Sequence, residues 1–422
     1  MPHKTKPIMK NLVLLFLWIP SGFTNAQTLL QPDRVFDGEE IHENWVVLVE
    51  GNTITYAGEA SGIEVPKNTT NLDLKGSTLM PGLIEGHSHL LLHPYDETTW
   101  NDQVLKESPV ERAIRGTVHA KNTLLAGITT TRDLGAEGSG YTDVYLKKTI
   151  EDGIVAGPRM LVAGPAIVAT GAYGPKGFHD GVQVPLGAEP ASGVPEVIKT
   201  VRRQLGHGAD FIKIYADYRW TTDAPSKPTF LQEEIDAMVA AATSAGSYVV
   251  AHASTPEGMR RAVKGGVETI EHGDGGTLEI YKSMKEKGIA LCPTLAAGDA
   301  ITQYSGWKKG IDSEPDRIRN KRKSFNLALE SGVEIIFGGD VGVFSHGENY
   351  REMELMVEYG MQPLDVLMAA TSLNARVFHL DDLGKLQKGF LADIIAVEGN
   401  PLKDISNMRK VKFVMKDGEI YK

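Results

Sequence analysis

The chain has a single cysteine, Cys292, among its 422 residues. An intramolecular disulfide needs two cysteines, so no cross-link within the chain holds this fold together. With 41% hydrophobic residues, a chain of this length can bury a stable core without such links. The length suits one large domain or two to three average ones.

Positive charge is also in deficit, since 44 lysines and arginines face 54 aspartates and glutamates and give a net charge of −10. The sequence has no basic stripe with interleaved aromatic residues, so nucleic acid is not an expected partner. The acidic balance favours solubility and does not define the charge of a substrate.

Only one apolar run stands out, and it lies at the N-terminus. The segment MPHKTKPIMK carries three lysines and no acidic residue, NLVLLFLWIP is apolar, and SGFTNA supplies small residues. This layout predicts a secretory signal peptide over residues 1–26, cleaved after Ala26, in preference to a merely apolar tail. The apolar part is shorter than the ~20 residues that span a bilayer. Cleavage would change the net charge from −10 to −13 by removing three lysines, and we expect a periplasmic or secreted protein without a membrane anchor.

From residue 79 onward, short apolar strands alternate with helical stretches. Amphipathic segments cover residues 108–126, 229–246 and 255–266. The eight apolar segments are TLMPGLIEGHSH, GITTTRDLG, PRMLVAGPAI, ADFIKIYAD, SYVVAHA, ETIEHG, ALCPTL and EIIFGGD. This alternation predicts an α/β fold, a (β/α)8 TIM barrel over residues 79–383. An open doubly wound sheet is the alternative, disfavoured because no GxGxxG opens a helix after the first strand.

The two ends of the chain do not follow the barrel pattern. Residues 27–78 and 384–422 carry alternating β-branched residues separated by Gly, Asn and Asp turns, which is typical of small antiparallel sheets. We expect both ends to meet in one small β-sandwich domain beside the barrel. Two independent β extensions are the alternative.

Polar side chains occur where the predicted barrel strands end. Alternation along a strand places His87 and His89 on the same face, and in a TIM barrel the C-terminal ends of all strands meet at one mouth. Taken singly, a histidine or aspartate at a strand end is more often structural; their occurrence on several strands favours a shared site. The candidate set is His87, His89, Lys213, His252, His272 and Asp340.

Imidazole and carboxylate ligands together suit Zn²⁺ or a similar ion. Lys213 lies within an apolar strand, where an unpaired ammonium group is costly. A lysine that has taken up CO₂ becomes an anionic carbamate, which would remove the positive charge and bridge two metal ions. Two metals would need more ligands than one and a bridging group between them, and N6-carboxylation of Lys213 is a hypothesis for that bridge.

These residues resemble the amidohydrolase superfamily in its binuclear branch with a carboxylated lysine. The resemblance is carried by PGLIEGHSH, FIKI, VVAHA, IEHG, GGDVGVFSHGEN and ATSLNARVFHLDDLGKLQKGFLADIIAV. Within that superfamily the chain is most similar to the prolidase-like, imidazolonepropionase-related group, which includes Xaa-Pro and Xaa-Arg/Lys dipeptidases and ochratoxin-hydrolysing amidases.

The resemblance implies a role for each candidate residue. His87, His89 and Asp340 would hold the more buried metal, and His252 and His272 the second. Carboxylated Lys213 and a hydroxide would bridge the two ions. Asp340 would also carry the proton from that hydroxide to the leaving amine. In the segment GAYG, Tyr173 occupies the place where relatives often have a histidine, and it is the candidate that polarises the substrate carbonyl.

We therefore expect a metal-dependent hydrolase that cleaves the amide bond of a dipeptide or an N-acyl amino acid. Such substrates carry a free carboxylate, for which the candidate contacts are Tyr215, Tyr218, Arg219 and His346. One alternative is a cyclic amide or lactone hydrolase of the imidazolonepropionase type. Another is a catalytically silent exported binding protein. Relatives in this group are commonly homo-oligomers, and we expect the same here.

Overall fold

The computed structural model describes residues 27–422. The predicted signal peptide over residues 1–26 lies outside the described residues. Within the described part, none of the helices combines the length and the apolar character that crossing a bilayer requires.

Both ends of the chain contribute strands to one eight-stranded sheet. Strand Thr70–Pro81 is the junction, because it pairs in parallel with Gln27–Phe36 and antiparallel with Ile394–Glu398. It continues past the predicted boundary at residue 78. The ends are therefore not independent extensions. The sheet consists of Gln27–Phe36, Ile41–Glu43, Trp45–Glu50, Thr53–Glu59, Thr70–Pro81, Ile394–Glu398, Val411–Lys416 and Glu419–Ile420.

The middle of the chain has a TIM-barrel-like α/β fold. Its principal strands pair in parallel and are buried, as the near-continuous apolar segments predict. These strands are Leu83–Ser88, Ile128–Asp133, Arg159–Val162, Ile212–Tyr215, Val249–Ala253, Thr269–His272 and Ala290–Cys292. Short strands at Ile167–Val168, Glu189–Pro190, Asp217–Tyr218 and Lys227–Pro228 extend the edges and loops.

The eighth predicted strand, EIIFGGD, is not a regular strand, but its backbone bonds to both neighbours. The Ile336 amide donates to the carbonyl of Leu291 at 2.9 Å, and the His89 amide donates to the carbonyl of Val341 at 2.8 Å. This segment thus lies between the seventh barrel strand and the first. It brings Asp340 next to His87, whose carbonyl accepts the Asp340 amide at 2.8 Å.

Helices follow the strands, and their starts carry the expected capping residues. The Ser108 hydroxyl accepts from the backbone amide of Glu111, and Thr255 caps the helix Pro256–Gly265 in the same way. The α-helices are Trp100–Lys106, Pro109–Leu125, Thr142–Glu151, Val194–Gly206, Gln232–Ser244, Pro256–Gly265, Leu278–Lys287, Leu295–Tyr304, Asp316–Ser331, Tyr350–Glu358, Pro363–Met368 and Asn374–Val377. Short 3₁₀ turns occur at Ala60–Gly62 and Ile405–Arg409, and a π-helical turn at Ala369–Leu373.

The sheet shared by the chain ends can be tested at Gly418. A Cβ there would lie 1.9 Å from the carbonyl oxygen of Gly51, whereas one at Gly76 would meet nothing within 4 Å, although both glycines have φ of +77°. Alanine in this backbone region costs about 1–2 kcal/mol, and overpacking adds about 1–3 kcal/mol. We expect Gly418→Ala to lower the denaturant midpoint clearly more than the control Gly76→Ala. Equal effects of the two variants would contradict this packing.

Candidate metal centre and active site

A cavity of about 640 Å³ opens at the C-terminal ends of the barrel strands. Five of the six candidate residues line it: His87, His89, His252, His272 and Asp340. The sixth, Lys213, is 1% exposed, and its Nζ lies 5.6 Å from the centre of the Tyr215 ring on the cavity wall. The fold thus brings together residues that are up to 253 positions apart in the chain (340 minus 87).

The ligand atoms of these side chains converge. Asp340 Oδ1 lies 3.5 Å from His87 Nε2 and 3.4 Å from His89 Nε2. Potential ligand atoms of His87, His272 and Asp340 all lie within 4.8 Å of one another, and the His252 and His272 ring centroids are 4.5 Å apart. Imidazole nitrogens and a carboxylate oxygen at these separations fit a divalent ion such as Zn²⁺.

Hydrogen bonds at the opposite ring nitrogens orient three of these histidines. His87 Nδ1 is 2.8 Å from Glu271 Oε2, His89 Nδ1 donates to the Gly135 carbonyl at 3.0 Å, and His272 Nδ1 is 2.7 Å from Thr294 Oγ1. A donor at Nδ1 leaves the Nε2 lone pair free for a metal, as is usual for metal-binding histidines.

Glu271 is a site residue that sequence reasoning missed. It is fully buried and accepts a hydrogen bond from Arg132 Nη2 at 2.8 Å as well as contacting His87. Burial alone would raise the pKa of Glu271, but Arg132 and His87 lower it below its ordinary value. Its position directly before His272 in the segment IEHG was the available signal.

Lys213 is buried without a counterion. Among residues 27–422 its Nζ forms no salt bridge and no hydrogen bond, and burial lowers its pKa. Glu271 and Asp340 oppose that change. A lower pKa increases the fraction of neutral amine, which is the nucleophilic form that reacts with CO₂.

Several lining residues have a left-handed backbone, which is uncommon outside glycine. The φ angles are +46° at Glu137, +73° at His272, +49° at Thr294 and +62° at Asp340. Such conformations cost of order 1–3 kcal/mol and concentrate at functional sites. At His272 and Asp340 they turn the chain just where a ligand side chain leaves its strand.

Tyr173 lies on the cavity wall and is 7% exposed. Its hydroxyl donates to Glu137 Oε2 at 3.0 Å and is 3.3 Å from the Tyr215 hydroxyl. Burial raises the pKa of Tyr173 well above its ordinary value, so the hydroxyl stays protonated and can donate. Glu137, its acceptor, is a second residue that the sequence did not reveal.

Only three of the four candidate substrate contacts lie at the cavity. Tyr215, Tyr218 and Arg219 line the cavity, and His346 does not. The expectation for His346 is wrong: its ring stacks on His119 with centroids 4.2 Å apart, and its Nε2 donates to the carbonyl of Leu92. Nearness to Asp340 in sequence misled here, because the loop carries His346 away from the cavity.

The fold and the site define the class of protein to which this chain belongs. The amidohydrolase family profile matches residues 78–421, and the chain is a member of that family. The family assignment makes it a hydrolase of amide C–N bonds, as expected, and disfavours a catalytically silent binding protein.

Individual relatives indicate which group of the amidohydrolase family this chain most resembles. The chain is 30% identical to ochratoxinase from Aspergillus niger, over 92% of this chain and 84% of that protein. The crystal structure of A. niger ochratoxinase superposes on it with a TM-score of 0.80 at 27% identity. That superposition covers 94% of this chain and 96% of the other. A Xaa-Pro dipeptidase structure with bound methionine in the active site gives a TM-score of 0.81 at 33% identity, covering 94% and 100%. Imidazolonepropionase from Rhodococcus jostii is more distant, at 22% identity over 83% and 81%. These similarities confirm the expected prolidase-like group.

Removing the hydroxyl of Thr294 tests whether its hydrogen bond orients the ring of His272. Thr294→Val removes the partner of His272 Nδ1 while keeping the side-chain shape, so metal affinity should fall about 10- to 100-fold, as is typical for lost ligand-orienting bonds. The measurement is a competition with a metal chelator. Thr371→Val removes a hydroxyl bond to the Leu367 carbonyl, with both residues outside the cavity lining, and serves as the control. Equal affinities of the two variants would contradict the role of Thr294.

Proposed function

We propose that this protein is a metal-dependent amidohydrolase that releases an amino acid from a dipeptide or an N-acyl amino acid. The observation that carries the proposal is the convergence of His87 Nε2 and His89 Nε2 on Asp340 Oδ1 within a substrate-sized cavity. The similarity to a Xaa-Pro dipeptidase and to ochratoxinase supports the substrate class. An imidazolonepropionase-type reaction receives less support, because those relatives are only 22% identical.

In this proposal two divalent ions share the six ligands, and the imidazole and carboxylate ligand types favour Zn²⁺. His87, His89 and Asp340 hold the more buried ion, and His252 and His272 hold the other. The His272–Thr294 and His87–Glu271 contacts support this arrangement, because they fix both rings with Nε2 available.

We further propose that Lys213 is N6-carboxylated and bridges the ions. Burial of Lys213 without a direct ion pair lowers its pKa, and this increases the fraction of neutral amine that can react with CO₂. The carbamate would supply an anionic ligand whose charge the metal ions would neutralise.

The chemistry then follows from the side chains around the substrate amide. When bound, the metal ions lower the pKa of water and polarise the scissile carbonyl. Asp340 accepts the proton of the attacking water and delivers it to the leaving amine. On substrate binding the single hydroxyl hydrogen of Tyr173 turns from Glu137 Oε2 to the carbonyl oxygen, where negative charge develops. Arg219 lines the cavity, and its guanidinium binds the carboxylate of the leaving amino acid.

We propose a closed (β/α)8 barrel over residues 79–383 and a β-sandwich domain of residues 27–78 and 384–422. We also propose signal-peptide cleavage after Ala26, a periplasmic or secreted location, and assembly into a homo-oligomer. The backbone bonds on both sides of Ile336 and Val341 support closure of the barrel.

Replacing Asp340 tests the proton-transfer role. Asp340→Asn keeps the shape but cannot accept a proton, so kcat for a dipeptide should fall at least about 10³-fold, within the range for lost acid–base catalysis. The assay is release of the free amino acid by the zinc-loaded variant. His207→Asn, at the exposed end of a helix, is the control and should keep wild-type activity. Substantial turnover by Asp340→Asn would refute the assignment.

Metal removal and reconstitution test the metals and Lys213 together. Chelation should abolish hydrolysis, and Zn²⁺ with bicarbonate should restore more activity than Zn²⁺ in CO₂-free buffer, because carbamate formation consumes CO₂. A ¹³C carbamate resonance after reconstitution with labelled bicarbonate, lost in Lys213→Met, would accompany the recovery. Turnover that resists chelation, or recovery independent of bicarbonate, would count against the proposal.

A further inference from the structure

Glu137 is a cavity-lining residue with one carboxylate oxygen that accepts no hydrogen bond from the described residues. The residue lines the cavity and is 3% exposed. Its Oε2 accepts from Trp100 Nε1 at 2.8 Å and from the Tyr173 hydroxyl at 3.0 Å. In the described part of the chain, Oε1 receives no hydrogen bond. His89 Nδ1 is 3.9 Å away, and it donates to the Gly135 carbonyl instead.

The guanidinium of Arg112 donates its hydrogen bonds to backbone carbonyls and not to this carboxylate. Its Nε donates to the carbonyl of Leu91 at 3.0 Å, and its Nη1 donates to the backbone carbonyl of Glu137 at 2.5 Å. Within residues 27–422 there is no salt bridge between Arg112 and the Glu137 side chain. A buried carboxylate with an unused oxygen favours the binding of a cation from the cavity side.

Aromatic rings surround Glu137 on the same wall. The ring centroid of Tyr173 lies 5.3 Å from that of Trp100, 4.6 Å from that of Tyr215 and 4.8 Å from that of Tyr218. We call these four side chains the aromatic wall; all of them line the cavity. Aromatic faces attract ammonium groups through their quadrupole, so the wall and the carboxylate favour the same kind of ligand.

Positive charge on the cavity lining includes guanidinium groups, and the guanidinium of Arg219 lies 5.7 Å from the centre of the Tyr218 ring. Arg219 and Arg317 line the cavity, both side chains are exposed, and neither forms a salt bridge within the described residues. The cavity thus offers a buried anion beside the metal-site histidine His89 and solvent-exposed guanidinium groups. A ligand with an ammonium group at one end and a carboxylate at the other matches both features.

We propose that Glu137 and the aromatic wall bind the free α-ammonium group of a dipeptide, and that this contact selects dipeptides over N-acyl amino acids. The inference rests on the proposed function and deepens it, since it assigns the substrate class. The acyl residue of the dipeptide lies with its amine against Glu137, and the carboxylate of the leaving amino acid points toward Arg219 and Arg317. Substrates whose acyl part lacks an amine lose the contact with Glu137.

The test compares two substrates that differ only in the amine: leucyl-phenylalanine and 4-methylpentanoyl-phenylalanine. The zinc-loaded wild-type protein should show a kcat/KM at least about tenfold higher for leucyl-phenylalanine. Glu137→Gln should lower the ratio of the two kcat/KM values about 10- to 100-fold, the range for a hydrogen bond to a charged group. Tyr173→Phe keeps the carboxylate, and it should change both substrates by similar factors.

A second readout uses the wild-type protein alone. The α-amino group of a substrate loses its proton near pH 8, so KM for leucyl-phenylalanine should rise above that pH relative to KM for 4-methylpentanoyl-phenylalanine. Hydrolysis of both substrates with equal kcat/KM, an unchanged ratio in Glu137→Gln, or parallel KM profiles would overturn this inference and leave the proposed function standing. Failure of the metal-loaded protein to hydrolyse either substrate, or any other N-acyl amino acid, would refute the proposed function itself.

Discussion

A buried chain of contacts from Arg132 through Glu271 to His87 links the fold to the site. The three residues lie on the second, sixth and first barrel strands, and both contacts measure 2.8 Å. All three side chains are at most 1% exposed. Removing one partner from a buried set of this kind leaves an uncompensated charge, which commonly costs about 3–5 kcal/mol. The same carboxylate therefore stabilises the barrel interior and fixes the ring of a metal-site histidine.

Glu85 makes a comparable link between the first strand and the segment that carries Asp340. Its side chain accepts from the backbone amides of His87 and Gly339 and from Asn349 Nδ2 at 2.8–2.9 Å. Burial raises the pKa of Glu85 to about 7, even though these bonds oppose the change. The irregular eighth segment is thus held by side-chain contacts as well as by backbone bonds. A site built this way depends on contacts between strands that are distant in sequence.

Much of this arrangement could be predicted from the sequence. The alternation of short apolar segments and helical stretches predicted the TIM-barrel-like fold. The polar ends of those segments predicted that His87, His89 and His252 lie at one cavity, because parallel strands end on the same side. Glu271 and Glu137 escaped prediction for physical reasons. The left-handed backbone of His272 breaks the strand alternation beside Glu271, and Glu137 gains its surroundings only when distant loops fold together. The prediction that His346 contacts the substrate was wrong for a different reason: proximity in sequence to Asp340 does not fix the direction of a loop.

The proposed hydrolysis requires that the converging side chains bind two metal ions. Anomalous diffraction at the zinc edge from crystals of the zinc-loaded protein tests it most directly. We predict two peaks about 3.5–4 Å apart, as in other two-metal sites, one beside His87, His89 and Asp340 and the other beside His252 and His272, with Lys213 between them. A single peak, or peaks away from these six side chains, would contradict the account.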